Sequence, residues 1–366
     1  MARLERHPEL PPPITEVGVL GWLRHNLFSS PANAALTLVA LYVIYLTVPP
    51  LVDWALLKAD WTGTTRADCK SGGACWAFVG VWFNQFIYRF YPVAEQWRVD
   101  LAFGLLVVLV VPLFVERFRW KGWLGAFIVV VYPAIAFYLF LGGAFGLTYV
   151  ETSKWGGLML TLIISAVGMV AALPLGIVLA LGRRSTTMPV VRALCVVFIE
   201  FWRGVPLITV LFMSSVMLPL FLPEGVNFDK LLRALIGVTL FEAAYMAEVV
   251  RGGMQGIAKG QYEAADSLGL SFPKKMALVV LPQALKLVIP GIVNTFIALF
   301  KDTSLVLIIG LFDLLGAIQA AVKDAEWPQV VTEGYVFAAA LFWIFCFAMS
   351  RYSQKLERRL GTGHKR

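Results

Sequence analysis

Residues 261–284 read QYEAADSLGLSFPKKMALVVLPQA. Gln261 to Leu268 has helical character, and Gly269 can supply the left-handed residue that stops a helix. Ser271 ahead of Phe272 and Pro273 suits the N-cap and first turn of a second helix. The stretch therefore predicts two short helices joined at a glycine, a compact knob and not a slack connector. What flanks it decides where the knob sits. Residues 231–250 and 285–311 are apolar blocks. A span needs roughly 20 such residues, because the hydrocarbon core is about 30 Å thick and a helix rises about 1.5 Å per residue. The knob is thus the loop, residues 251–284, between two membrane spans.

Further blocks extend this reading along the chain. They lie near 30–52, 99–115, 123–147, 158–182, 193–222 and 335–352, which makes eight spans in an all-α integral membrane fold. Composition agrees: 59% of residues are hydrophobic and 15% charged, with mean hydropathy +0.76, where soluble domains hold about 25% charged residues. The net charge of +8 does not point to nucleic acid, because of where it falls. Arg117, Arg119, Lys121, Arg183, Arg184, Arg192, Lys259, Lys274 and Lys275 sit in loops on the knob's side, joined by Arg3, Arg6 and Arg24 and by Arg351 to Arg366 in the tail. The opposite loops hold fewer, among them Lys58, Lys154, Lys230 and Lys323. This positive-inside bias places both termini in the cytoplasm. The first 26 residues lack the apolar run of a cleavable signal peptide.

Within the knob the order is Glu263-Ala264-Ala265, three residues, Gly269, nine residues, Val279, one residue, Leu281-Pro282. This resembles the EAA loop of ABC importer permeases, with Val279 where isoleucine is usual. The runs Glu200 to Leu207, Ala244 to Gly253, Lys301 to Leu305 and Arg351 to Leu360 resemble polar amino acid permeases of the histidine/glutamine type. The three extra N-terminal spans make the chain similar to the long permease subunits of general L-amino acid transport systems. The resemblance implies a five-helix type I permease core over residues 151–352, with Glu263, Ala264, Ala265, Gly269, Leu281 and Pro282 coupling it to an ATPase. It also implies a bacterial inner-membrane complex of this chain, a homologous second permease, two ATP-binding subunits and a soluble periplasmic amino-acid-binding protein, with membrane lipid around it. ATP and Mg would bind the partner ATPase. The chain has no Gly-Lys-Ser or Gly-Lys-Thr to serve as a P-loop, and no cofactor is expected on it.

The rest divides into a cytoplasmic segment 1–29, three added spans at 30–150 with an outer loop at 53–98, the core, and a tail at 353–366. Trp54, Trp61, Trp76, Trp82, Tyr88, Tyr91 and Trp97 along the outer loop suit a membrane interface. Cys69 and Cys75 in that loop are either bridged or free thiols. Gly142 and Gly146 have GxxxG spacing, which permits close helix approach. Gly252-Gly253 reads as a turn.

Charged residues inside spans are costly, roughly 2.5–3.5 kcal/mol each, so they face the protein interior or a water-filled cavity. Glu200, Arg203, Glu242, Lys301 and Asp302 bracket the midplane and form the candidate substrate pathway. Glu200 and Arg203 share a helix face, and Asp302 or Thr303 is placed to cap a helix starting at Ser304. The competing account makes these residues internal ion pairs, with Arg203 as the partner of Glu242. His7, His25 and His364 lie without Cys or carboxylate clusters, so no metal site is indicated. An ion-gradient-driven secondary transporter is the alternative, but it leaves the knob unexplained.

Overall fold

The computed structural model describes residues 18–115, 117–223 and 228–361. It is almost wholly helical; among the described residues the only β pairing is two isolated bridges, Asp60 with Cys75 and Gly157 with Asp313. The chain divides into two compact units, Met1–Gly80 and Val81–Arg366.

The first unit holds α1 (Gly18–Asn26) and α2 (Pro31–Val52). Ser30 caps α2, its hydroxyl accepting from the Asn33 amide, and Pro31 occupies the first turn. No described side chain of α2 is buried, as an all-round apolar helix in lipid requires. The loop that follows is built, not slack. Cys69 and Cys75 are joined by a disulfide with Cα atoms 5.6 Å apart. Asp60 accepts from the Ser71 hydroxyl and amide at 2.6 and 3.0 Å, and these bonds hold its carboxyl below the usual range. Trp54 and Trp61 pack on Trp76 with centroids 6.2 and 6.0 Å away.

α3 (Ala77–Tyr88) is a helix that the aromatic reading of the outer loop does not anticipate. In the second unit follow α4 (Gln96–Phe114), α5 (Lys121–Val130), α6 (Tyr132–Leu141), α7 (Gly157–Arg183), α8 (Pro189–Gly204) and α9 (Leu207–Phe212). Next come α10 (Lys230–Gln255), α11 (Lys259–Ser267), α12 (Phe272–Lys275) and α13 (Leu281–Leu287). The chain closes with α14 (Ile289–Asp302), α15 (Leu314–Ala321) and α16 (Val331–Leu360).

Among the described residues, six helical stretches are long and apolar enough to cross a membrane: Pro31–Leu57, Val93–Phe114, Lys121–Leu141, Gly157–Arg183, Ile289–Ile309 and Val331–Arg359. A seventh is Pro189–Gly204 with Leu207–Phe221, a pair bent by 102°. Val205 is extended (φ −108°, ψ 134°), as the residue before Pro206 must be. The expected eighth span, α10, has the length, 26 residues, but Arg233, Glu242, Glu248 and Arg251 lower its hydropathy. It is the central helix of the core, and half its length is buried.

Small residues let α10 approach its neighbours. A Cβ on Gly176 of α7 would lie 2.7 Å from the Cβ of Met246. Gly252-Gly253 is not a turn but the last stretch of α10; a Cβ on Gly253 would meet the Ala284 carbonyl of α13 at 2.7 Å. Gly142 and Gly146 correct the helix-packing expectation in the opposite sense. Both lie beyond α6 at positive φ, 70° and 75°, and form a turn. Asp313 caps α15 by accepting from the Gly316 and Leu315 amides. Burial pushes its carboxyl up to about 6 in spite of those amides.

Candidate functional site

α11 is closed by a Schellman turn. The Leu270 amide donates to the Ala265 carbonyl and the Gly269 amide to that of Asp266, with Gly269 at φ 69°. Lys275 of α12 pairs with Asp266 of α11 and locks the corner. The second arm is longer than the two-helix expectation. α12 runs through a π turn, Met276–Val280, into α13. Pro282 explains the wide turn: it has no N–H, and its ring crowds the carbonyl four residues back. The Leu281 amide reaches instead to the Met276 carbonyl, five residues back.

One face of the knob is anchored. Met276, Val280 and Ala284 are buried against Val250, Met254 and Ile257 at the end of α10. The Tyr262 hydroxyl donates to the Met254 carbonyl at 2.8 Å and accepts from Arg184 at 2.6 Å. The other face is open. Glu263 and Ala264 are exposed, and so are Leu268 (79%), Phe272 (49%) and Leu278 (68%). Ala265 is buried, so of the paired alanines one packs inward and one faces out.

The five charged residues assigned to a pathway do not meet in one place. Glu200 and Arg203 belong to a network at the knob's end of the bundle, with Glu248 at its centre. Glu248 accepts from Arg183 at 2.7 Å and from Arg251 at 2.6 and 2.9 Å. Arg203 lies 4.0 Å from it and 5.7 Å over the Tyr245 ring. Glu200 accepts from Arg183 at 2.9 Å. Arg203 is therefore paired with Glu248, and the expected Arg203–Glu242 pair is not formed. Sequence reasoning missed Glu248 because its three arginines come from α7, α8 and α10 itself.

Glu242 lies six residues earlier on α10, about 9 Å along the axis. It is 3% exposed. Lys301 is exposed and Asp302 half-buried. Asp302 caps no new helix: α14 tightens into a 3₁₀ segment, Thr303–Ile309, without a side-chain cap. The Thr303 and Ser304 hydroxyls donate back to the Phe300 and Lys301 carbonyls. Among the described residues no group of three or more His, Cys, Asp or Glu is arranged to hold a metal.

A polytopic helical membrane protein with a rigid loop held out from its core helix and charges buried between spans is a transport subunit by architecture. Residues 172–362 match the family model of binding-protein-dependent transport system inner membrane components, and the chain belongs to that family. It is 58% identical to the inner membrane amino-acid ABC transporter permease protein YhdY of Escherichia coli K12, over 98% of this chain and 97% of that one. It is 39% identical to the glutamate/glutamine/aspartate/asparagine transport system permease protein BztC of Rhodobacter capsulatus, over 99% and 98%. A crystal structure of an amino acid ABC transporter with histidines aligns with 28% identity and a TM-score of 0.49, covering 56% of this chain and 92% of that one.

Proposed function

We propose that this chain conducts amino acids inward across the bacterial inner membrane as one permease of an ABC importer. It works with a homologous second permease, two ATP-binding subunits that carry ATP and Mg, and a soluble binding protein on the outer face. Both termini are cytoplasmic. The observation that carries this reading is the two-faced knob: one face bonded to α10, the other presenting Glu263, Ala264, Leu268, Phe272 and Leu278 to solvent. An exposed apolar face on a rigid corner suits a docking surface. A push on it would be transmitted through Tyr262, Met276 and Val280 to α10, the helix that carries Glu242 and Glu248.

The amino-acid reading is supported by the two close relatives and by charge. An amino acid carries a carboxylate and an ammonium, and the spans hold both signs. Glu200, Arg203 and Lys301 are exposed on the isolated chain although they lie in spans. Such positions belong against a partner helix or a wet cavity, not lipid.

Reconstitution of the whole complex in liposomes tests the reading. Labelled acidic, amide, basic and apolar amino acids are offered with the binding protein outside and ATP inside. Uptake of at least one class that stops without ATP is expected. Uptake by this chain alone under an ion gradient would overturn it.

A further inference from the structure

A cavity of about 260 Å³ opens where α4 ends, α5 begins and α16 nears its C-terminus. On α16 it is lined by Tyr352, Lys355, Leu356 and Arg359, which fall at i, i+3, i+4 and i+7 and so share one helix face. Phe114 and Lys121 close it from α4 and α5. Phe114 meets Tyr352 edge-on at 4.9 Å between centroids. The pocket lining thus combines Leu113, Phe114, Tyr352 and Leu356 with three cations, Lys121, Lys355 and Arg359. Neither Lys121 nor Lys355 forms an ion pair with another described residue.

Its level in the membrane is set by the same helices. The stretches Val93–Phe114, Lys121–Leu141 and Val331–Arg359 are all candidate spans, and the pocket lies where all three end or begin. Headgroups lie at that level. Trp120 and Trp123 beside it are 62% and 76% exposed, as aromatics at a membrane interface are. We propose that this pocket binds the phosphate of an anionic phospholipid, with an acyl chain along Leu113 and Phe114. Basic pockets between transmembrane helices favour such headgroups. A free phosphate would use the cations but leave the apolar part of the lining without a partner. The bound lipid would join the added helices α4 and α5 to the last helix of the family core.

The test is native mass spectrometry of the intact complex, titrated with phosphatidylglycerol or with phosphatidylcholine of the same acyl chains. Wild type is expected to prefer phosphatidylglycerol. Each cation contributes roughly fivefold to anionic lipid binding. Lys121→Gln with Lys355→Gln should therefore weaken phosphatidylglycerol roughly 25-fold and leave phosphatidylcholine within about twofold. Lys121→Arg with Lys355→Arg should retain the preference. If the double glutamine variant does not assemble, Lys355→Gln alone reads the same ratio, with a loss of about fivefold expected. Equal phosphatidylglycerol binding by wild type and the glutamine variants would overturn the proposal. So would displacement of the lipid by excess inorganic phosphate, since that would assign the site to the free anion.

Discussion

Glu248 and Glu200 are both carboxylates bonded to Arg183, yet their surroundings give them different weights. Glu248 is 16% exposed and serves Arg183 and Arg251 with Arg203 close by; Glu200 is 55% exposed with one partner. Removing the first leaves clustered guanidiniums facing one another. Glu248→Gln is expected to destabilise the chain by about 2 kcal/mol, and Glu200→Gln by less than about 1, read as thermal unfolding of the detergent-purified protein. Glu242 behaves otherwise, because no cation within 4.0 Å pairs with it among the described residues. Glu242→Gln keeps the shape of a buried carboxyl that has no ion-pair partner to lose, so stability should hold. If the carboxyl lines the pathway, the amino acids carried should change while assembly and basal ATPase rate do not. A fall in complex yield with unchanged selectivity would assign Glu242 a structural role. Asp313 supplies a pH test. Its carboxyl is raised to about 6 by burial, so its favourable contribution is complete below the unfolded value near 3.8 and is lost as pH climbs through 6. Asparagine keeps the capping oxygen. The thermal midpoint of Asp313→Asn relative to wild type should therefore rise between pH 4 and 6 and stay level above that. A difference independent of pH would refute the assignment.

Among the elements, the knob was the most legible in sequence because its signals are local. Gly269 had to be left-handed, and Ser271-Phe272-Pro273 had to start a helix; both follow from backbone geometry a few residues wide. The π turn at Met276–Val280 was not legible, although Pro282 was in view. Proline announces a disturbance but not whether the chain bends, breaks or widens. The contrast with Pro206 makes this concrete, since there the chain breaks through 102°. The Glu248 network was invisible for another reason: it depends on how three helices rotate about their axes, and spacing along one helix does not report that. Gly269 carries the element-scale prediction. An added Cβ there meets nothing within 4 Å, so only its φ of 69° resists substitution. Asparagine tolerates that region and valine does not. Gly269→Asn should keep most ATP-driven uptake. Gly269→Val, strained by about 1–3 kcal/mol, should lose it while the complex still assembles. Equal uptake by the two variants would show that the Schellman turn does not shape the docking face.

At the scale of the molecule, long apolar blocks announced a polytopic helical protein, and length and hydropathy mark six of the eight expected spans among the described residues, seven with the bent pair, leaving out α10. That helix is long but charged, and it is tolerated in a membrane because other helices surround it. Hydropathy measures affinity for lipid and so passes over a helix half of whose length is sheltered by other helices. The orientation of the whole rests on a different signal, the distribution of cations. Arg183, Arg184, Lys259, Lys274, Lys275 and Lys286 gather at the knob's end, while Lys154, Lys230 and Lys323 are spread over the opposite loops. This bias predicts that the knob is cytoplasmic. Two exposed positions in the second unit, Lys274 and Ala325, report the two faces. Each is changed singly to cysteine in a variant lacking Cys69, Cys75, Cys195 and Cys346, and an impermeant maleimide is added to spheroplasts. Ala325→Cys should label at once. Lys274→Cys should label only after the membrane is opened, and it should do so with the ATP-binding subunits stripped away as well as with them present. That second condition matters, because a docked partner would also shield the knob. Labelling of Lys274→Cys from outside with the membrane intact would invert the topology. The knob would then face the wrong compartment to meet an ATPase, and the coupling role would fall with it.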